Sequence, residues 1–239
     1  MTTNPQPPTL LLTNDDGIDA PGMSALIEAT RGLGRQRVVA PSGPYSGCGH
    51  TVTTHKPLLI NRHSEERISI DGTPADCVRL ALHHLQPDLS WVVSGINAGG
   101  NLGTDVHHSG TVAAIREAVI HGRPGVAVSH YIARGRPIDW PLASRWTRQV
   151  LLDLLSRPWE PGTFWNVNLP HPLPDSPDPA IVFCPLDLSP LPLSFRLDQD
   201  GAIAHYNGDY SSRARVPGHD VDSCFNGQIA VTLVRLGSG

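Results

Sequence analysis

Short, unbroken apolar runs alternate with helical patterns through the first half of the chain, and this alternation most limits the folds open to it. Thr9–Thr13 (TLLLT), Arg37–Ala40 (RVVA), Trp91–Ser94 (WVVS) and Val126–Val128 are short and continuous, so they read as strands covered on both faces. Helical segments lie between and after them. One is opened by Pro21, runs to about Leu33 and has Asp19 or Ala20 near its cap. A second, capped by Thr73 in Thr73-Pro74-Ala75-Asp76, runs to about Leu85. Thr111–His121 and Trp140–Leu155 complete the set. Strands joined by helices argue for an α/β fold, a mostly parallel, Rossmann-like sheet flanked by helices. Shorter β-like stretches fall near Thr51–Thr54, Leu58–Ile60 and Arg67–Ile70.

The pattern changes near Pro170. Pro170, Pro172, Pro174, Pro177 and Pro179 crowd one segment, and β-like stretches follow near Ala202–Tyr206 and Gln228–Leu236. Residues 1–169 are therefore expected to form the Rossmann-like catalytic core. Residues 170–239 are expected to form a Pro-rich excursion and a C-terminal β-rich arm or small lobe, within the same domain or an oligomer.

Composition excludes several roles. The 18 basic and 22 acidic residues leave a net charge of −4, so no basic excess is present to hold nucleic-acid phosphates. The one lysine, Lys56, precedes Pro57, which excludes a P-loop. None of the four cysteines forms a CxxC pair, and free thiols in a reducing compartment are expected. The polar MTTNPQPPT terminus carries no leader pattern and no run is long enough to span a membrane, so a cytoplasmic protein without a membrane partner is expected.

The segment that points to chemistry is Thr13-Asn14-Asp15-Asp16-Gly17, directly after the first strand. Adjacent carboxylates repel unless a cation lies between them. Taken alone, the segment also suits a solvated Asx-turn. Its position favours the first reading, because ligands of open parallel sheets bind outside the carboxyl ends of the strands. Ser46 follows the second strand, and Asn97 and Asn101 follow WVVS. Two carboxylates, a hydroxyl and an amide oxygen are hard ligands suited to Mg²⁺ or Mn²⁺. Beside them, Ser109-Gly110-Thr111 opens an apolar helix, whose free backbone N–H groups suit an anion or an ordinary cap. A metal beside an anion cradle suggests a phosphoryl group. No GxGxxG, GxSxG or HExxH motif offers another chemistry.

Several motifs, in order, resemble the SurE family, the survival-protein 5′/3′-nucleotidases and acid phosphatases. They are Thr13-Asn14-Asp15-Asp16-Gly17-Ile18-Asp19-Ala20-Pro21-Gly22, Ser46-Gly47 before Gly49-His50, Asp71 to Val78, Ser94 to Asn101, and Ser109 to Ala114. The resemblance runs from about Leu10 to Ser129 and resumes at Asn166-Val167-Asn168-Leu169-Pro170, with a late echo at Gly218–Asp222. It implies a divalent-metal phosphomonoesterase acting on nucleoside 5′-, and also 3′-, monophosphates. It further implies one cation held by Asp15, Asp16, Ser46 and Asn97, phosphate contacts at Asn101, Ser109, Gly110 and Thr111, and a β-arm that builds a homodimer or homotetramer.

Asp15 is the expected base or nucleophile, with Asp16 as its catalytic partner; the sequence leaves water and aspartyl attack both open. His107 and His108 are left between wet rim residues and a catalytic acid or metal neighbour. The rival functions are a non-catalytic nucleotide-binding regulator on the same fold, which would not need the paired carboxylates, and an exopolyphosphatase using the same site.

Overall fold

The computed structural model describes residues 7–237 apart from 87, 134, 174 and 175. The MTTNPQ segment and Pro174, both used in the sequence reading, lie outside the described residues.

Strand β1 (Thr9–Thr13) is an interior strand, fourth in order, of a nine-stranded sheet. Its register pairs Leu12 with Val38 of β2 (Arg35–Pro41) and Thr13 with Ser94 of β5 (Trp91–Ala98), both in parallel. Beyond β2 lie β4 (Arg67–Ile70) and, at the edge, the antiparallel β3 (Ile60–Arg62). Beyond β5 lie the parallel β6 (Gly125–His130) and β7 (Thr163–Leu169). The C-terminal strand β11 (Ile229–Arg235) then pairs antiparallel with β7 and parallel with β8 (Ile181–Phe183).

Successive strand side chains point to opposite faces, and β1 shows the consequence. Leu10 and Leu12 join the layer holding α1 (Pro21–Thr30) and α4 (Trp140–Leu154), among Met23, Leu26, Trp146 and Leu151. Leu11 joins the opposite layer, with Val78 of α2 (Pro74–Leu80) and Val112 and Ile115 of α3 (Gly110–Ile120). The expected mostly parallel sheet with helices on both faces is therefore present.

Local chemistry sets the helix starts. Thr73 Oγ1 accepts from Asp76 N at 3.2 Å and Asp76 Oδ2 accepts from Thr73 N at 3.0 Å, closing a capping box. Asp139 caps α4 by accepting from Leu142 N at 2.9 Å. Asp19 does not cap α1. The N-cap is Ala20, and Asp19 is held by Arg67 at 2.7 Å. Helix α1 stops at Thr30 rather than Leu33, and α2 stops at Leu80, with a single wider turn over Ala81–Leu85.

The expected strand at Thr51–Thr54 is absent, because Thr53 gives its backbone and hydroxyl donors to Asp76 at 2.8 and 2.7 Å. The sequence reading passed over β7, whose apolar pattern is broken by the wholly buried Asn166 and Asn168. It also passed over β8 and α5 (Asp220–Phe225). Away from the main sheet, β9 (Phe195–Leu197) and β10 (Ala204–Tyr206) form a separate antiparallel ribbon.

Candidate active site

The chain leaves β1 through a turn closed by Asn14. Gly17 N donates to Asn14 Oδ1 at 3.2 Å, and Asn14 Nδ2 donates to Gly17 O at 2.8 Å. Gly17 has φ of +102°, and a Cβ there would lie 3.1 Å from the Gly43 carbonyl carbon, so the turn requires glycine. The Asx-turn thus exists, but Asn14 makes it. The Asp15 and Asp16 carboxylates are not used to close it, and both line a cleft.

Asp15 is 5% exposed, and Thr111 Oγ1 donates to its Oδ1 at 2.6 Å. Burial pushes the Asp15 carboxyl up to about 6; the Thr111 hydroxyl and backbone N–H oppose that rise, and the Asp16 charge adds to it. Asp16 is more open, and its Oδ2 accepts from Ala98 N at 3.3 Å.

Three further loops complete the cleft, about 390 Å³ in volume. Ser46 is exposed in the loop after β2. That loop is tied down by Tyr45 N donating to Asp15 O at 2.7 Å, and by His50 Nε2 against the buried Glu117 Oε2 at 2.7 Å. Asn97, at the end of β5, donates its Nδ2 to Gly99 O at 2.8 Å, which leaves its amide oxygen with acceptor capacity. Asn101 donates its Nδ2 to Ser129 Oγ at 2.7 Å.

The Asn101 backbone is held from both sides by β7. Its N–H donates to Asn168 Oδ1 at 2.8 Å, and its carbonyl accepts from Asn166 Nδ2 at 2.8 Å and Asn168 Nδ2 at 3.1 Å. The two asparagines that hid β7 from the apolar pattern therefore position the loop. The dipeptide spacing Asn166–Asn168, which puts both side chains on one face of a strand, was the available signal.

At the start of α3 the expected residues divide. Ser109 lines the cleft and caps the helix, its Oγ accepting from Val112 N at 3.1 Å. Thr111 is fully buried behind Asp15. Gly110 packs against Asp15 and Cys48: a Cβ there would lie 2.9 Å from Asp15 Oδ2 and 3.1 Å from Cys48 Sγ. Asp15, Asp16, Ser46, Asn97, Asn101 and Ser109 thus share the cleft wall, whereas Gly110 and Thr111 support it from within.

Asp105, on the turn before α3, and Leu191, from the Pro-rich segment, also line the cleft and carried no expectation from sequence; His108, left open there, lines it too. His107 is exposed and does not line the cleft. Leu191 carries no motif, and it reaches the cleft from a segment about eighty positions beyond Ser109.

Among the described residues, no group of three or more His, Cys, Asp or Glu side chains is placed to hold a metal ion. The cleft offers a different donor set: two carboxylates, a hydroxyl and an amide oxygen. These are the hard oxygens that Mg²⁺ and Mn²⁺ prefer. Among the described residues no cation pairs with the buried Asp15 carboxylate, which burial pushes up to about 6 beside the Asp16 charge, so the residues present fit a divalent cation.

The chain matches the family model described as Survival protein SurE over residues 10–186. It is similar to a putative 5′-nucleotidase of Nostoc sp. (strain PCC 7120), at 53% identity over 95% of this chain and 100% of the relative. A 5′-nucleotidase SurE of Moorella thermoacetica is 37% identical over 95% of this chain and 90% of that protein. Among solved structures, the SurE protein from Aquifex aeolicus superposes with a TM-score of 0.85 at 31% identity, covering 97% of this chain and 95% of that one. With a family model across the sheet, both aspartates and the α3 N-terminus, and relatives matched along nearly their whole length, this chain belongs to the SurE family.

Proposed function

We propose that the cleft is the active site of a phosphomonoesterase that hydrolyses nucleoside 5′-monophosphates, and also 3′-monophosphates, to nucleoside and phosphate. One observation carries this reading. Asp15 and Asp16 meet the loop of Asn97 and Asn101 and the capped start of α3 in a single cleft. Carboxylates there alone would repel a phosphate, and a helix N-terminus alone would bind one without reaction. The names of the relatives, 5′-nucleotidases, supply the substrate class.

Asp15, Asp16, Ser46 and Asn97 would hold one Mg²⁺ or Mn²⁺. When bound, the cation supplies Lewis-acid polarisation of the phosphoryl oxygens. Thr111 holds the Asp15 carboxylate in one orientation through Oδ1. Asp15 is thereby positioned to orient an attacking water or to attack phosphorus itself. Asn101 and Ser109, with the N-terminal field of α3, favour the charge on the transferring oxygens. The β7 asparagines keep that loop from shifting, which preserves the alignment on which such stabilisation depends.

The test is phosphate release from a nucleoside 5′-monophosphate before and after chelation. Activity is expected to vanish in excess EDTA and return with Mg²⁺ or Mn²⁺. Full turnover after exhaustive chelation would remove the cation from the reading.

Two further properties belong to the same proposal. The β9–β10 ribbon exposes Phe195 (58%), Leu197 (59%) and Tyr206 (54%), apolar surface that a second copy would cover in a homodimer or homotetramer. A light-scattering mass of one chain at micromolar concentration would contradict it. The four cysteines are free, and no described helix is long and apolar enough to cross a membrane. Unpaired thiols suit the reducing cytoplasm, and fractionation of the native host tests that placement.

A further inference from the structure

Asp105 lies on the turn between Asn101 and Ser109, four residues from each, and lines the same cleft. Its carboxylate is unequally used. Among the described residues, the hydrogen bonds to its carboxylate fall on Oδ2: from Tyr210 OH at 2.5 Å, Arg213 Nη1 at 2.9 Å and Leu102 N at 3.2 Å. Arg213 is fully buried at its side chain, stacks on the Tyr210 ring at 5.0 Å and also donates to Leu102 O at 3.3 Å. Both residues come from the C-terminal segment, about a hundred positions away in sequence.

A bare carboxylate beside a phosphate site would oppose binding of the dianion. Here the buried guanidinium offsets that charge, and three donors fix the carboxylate plane through one oxygen. Oδ1 keeps its acceptor capacity. A charge-compensated acceptor on a cleft wall has one natural complement, a hydroxyl or amine donor of the ligand. The turn that carries Asp105 also carries the two phosphate-facing residues, and the group bonded directly to phosphate in a nucleotide is the sugar. The base lies a full sugar ring further away.

We infer that Asp105 is the sugar-reading residue of the cleft: its Oδ1 accepts a hydrogen bond from a ribose hydroxyl of the nucleoside monophosphate, while Tyr210 and Arg213 hold it in place. The inference rests on the phosphomonoesterase reading above. It assigns a specificity role to the C-terminal segment, which otherwise reaches the cleft through Leu191. A site built to accept a substrate hydroxyl discriminates strongly against the analogue that lacks it, because the acceptor is then left desolvated and unpaired.

The experiment compares kcat/KM of the full chain, with saturating Mg²⁺ or Mn²⁺, for four substrates. They are a ribonucleoside 5′-monophosphate, its deoxy and dideoxy analogues, and a ribonucleotide with a different base. Wild type is expected to prefer the ribonucleotide over the dideoxy analogue by about tenfold or more. Asp105→Asn, which places an amide donor among three donors or turns it toward the substrate, is expected to shrink that preference to below about threefold. Tyr210→Phe keeps the ring and removes one donor to Oδ2, so it is expected to give an intermediate preference even where Asp105→Asn does not fold.

Ribo and dideoxy substrates turned over equally by wild type would overturn the inference while leaving the phosphatase reading standing. So would a preference unchanged in both variants, or one that followed the base and ignored the sugar. Failure of wild type to hydrolyse any of the four would instead overturn the reading beneath it.

Discussion

Thr111 Oγ1 donates to Asp15 Oδ1 at 2.6 Å, and this bond joins the first turn of α3 to the end of β1. It aligns the anion-favouring helix start with the carboxylate that faces the cleft. In the function proposed above, Oδ2 is the oxygen left to the cation or the reacting phosphoryl group. The same bond opposes, without cancelling, the effect of burial on the Asp15 carboxyl, which is still pushed up to about 6.

That shift makes Asp15 a liability to the metal-free fold. An unfolded aspartate has a pKa near 3.9, so stability linked to this group is fully present below that value and is lost as pH rises through about 6. At pH 7 the cost is on the order of 3 kcal/mol. Asp15→Asn is expected to raise the urea midpoint of the chelated protein at pH 7 and to abolish turnover. Lower stability together with normal kcat would assign Asp15 to the turn alone.

Gly110→Ala tests the packing of α3 against Asp15. The new Cβ would lie 2.9 Å from both Asp15 Cβ and Oδ2, with Cys48 Sγ at 3.1 Å on the other side. Either Asp15 or the loop of Ser46 must then move. A misplacement of about 1 Å costs on the order of a hundredfold in rate, and overpacking costs roughly 1–3 kcal/mol in stability. The expected result is a fall in kcat larger than the change in thermal midpoint would suggest. Unchanged kinetics would show that the helix start can shift freely from the Asp15 carboxylate.

His130 sets a separate pH limit. It is 3% exposed at the end of β6, and its Nδ1–H donates to Tyr131 O at 2.7 Å. Burial lowers its pKa to about 4, and the neighbouring His171, with ring centroids 5.2 Å apart, acts in the same direction. The unfolded chain takes the proton near pH 6.5, so this stabilisation is complete above 6.5 and is lost as pH falls toward 4. The loss is on the order of 3 kcal/mol. Urea titrations at pH 7.5 and 4.5 should show it, and His130→Asn should remove most of the difference. An equal pH dependence in that variant would place its origin in other groups.

Much of the candidate site was legible because its residues lie where strands end. The paired aspartates after TLLLT, the asparagines after WVVS and the small polar residues before an apolar helix each have a local signature. A parallel sheet brings such strand ends to one rim. Asn166 and Asn168 were not legible as positioning residues: in a wholly buried strand they broke the apolar run that marked its neighbours. Asp105 was likewise invisible, since what distinguishes it is the guanidinium and phenol that reach it from about a hundred residues away.

By itself, the sequence determined the alternation of strands and helices, the positions of their caps and the candidate ligands of the rim, because these follow from periodicity and short-range chemistry. Tertiary structure alone decided which rim residues face the cleft and which stand behind it. Thr111 and Ser109 are two positions apart on one helix start, yet one is buried against Asp15 and the other lines the cleft. Tertiary structure also decided the role of the C-terminal segment. Strand β11 pairs with β7 across some sixty residues of chain, and from the segment between them Leu191 lines the cleft while Tyr210 and Arg213 bond Asp105. The reason is physical. Helix and strand patterns reflect neighbours a few residues apart, whereas burial and charge compensation depend on which distant segments the closed sheet brings together.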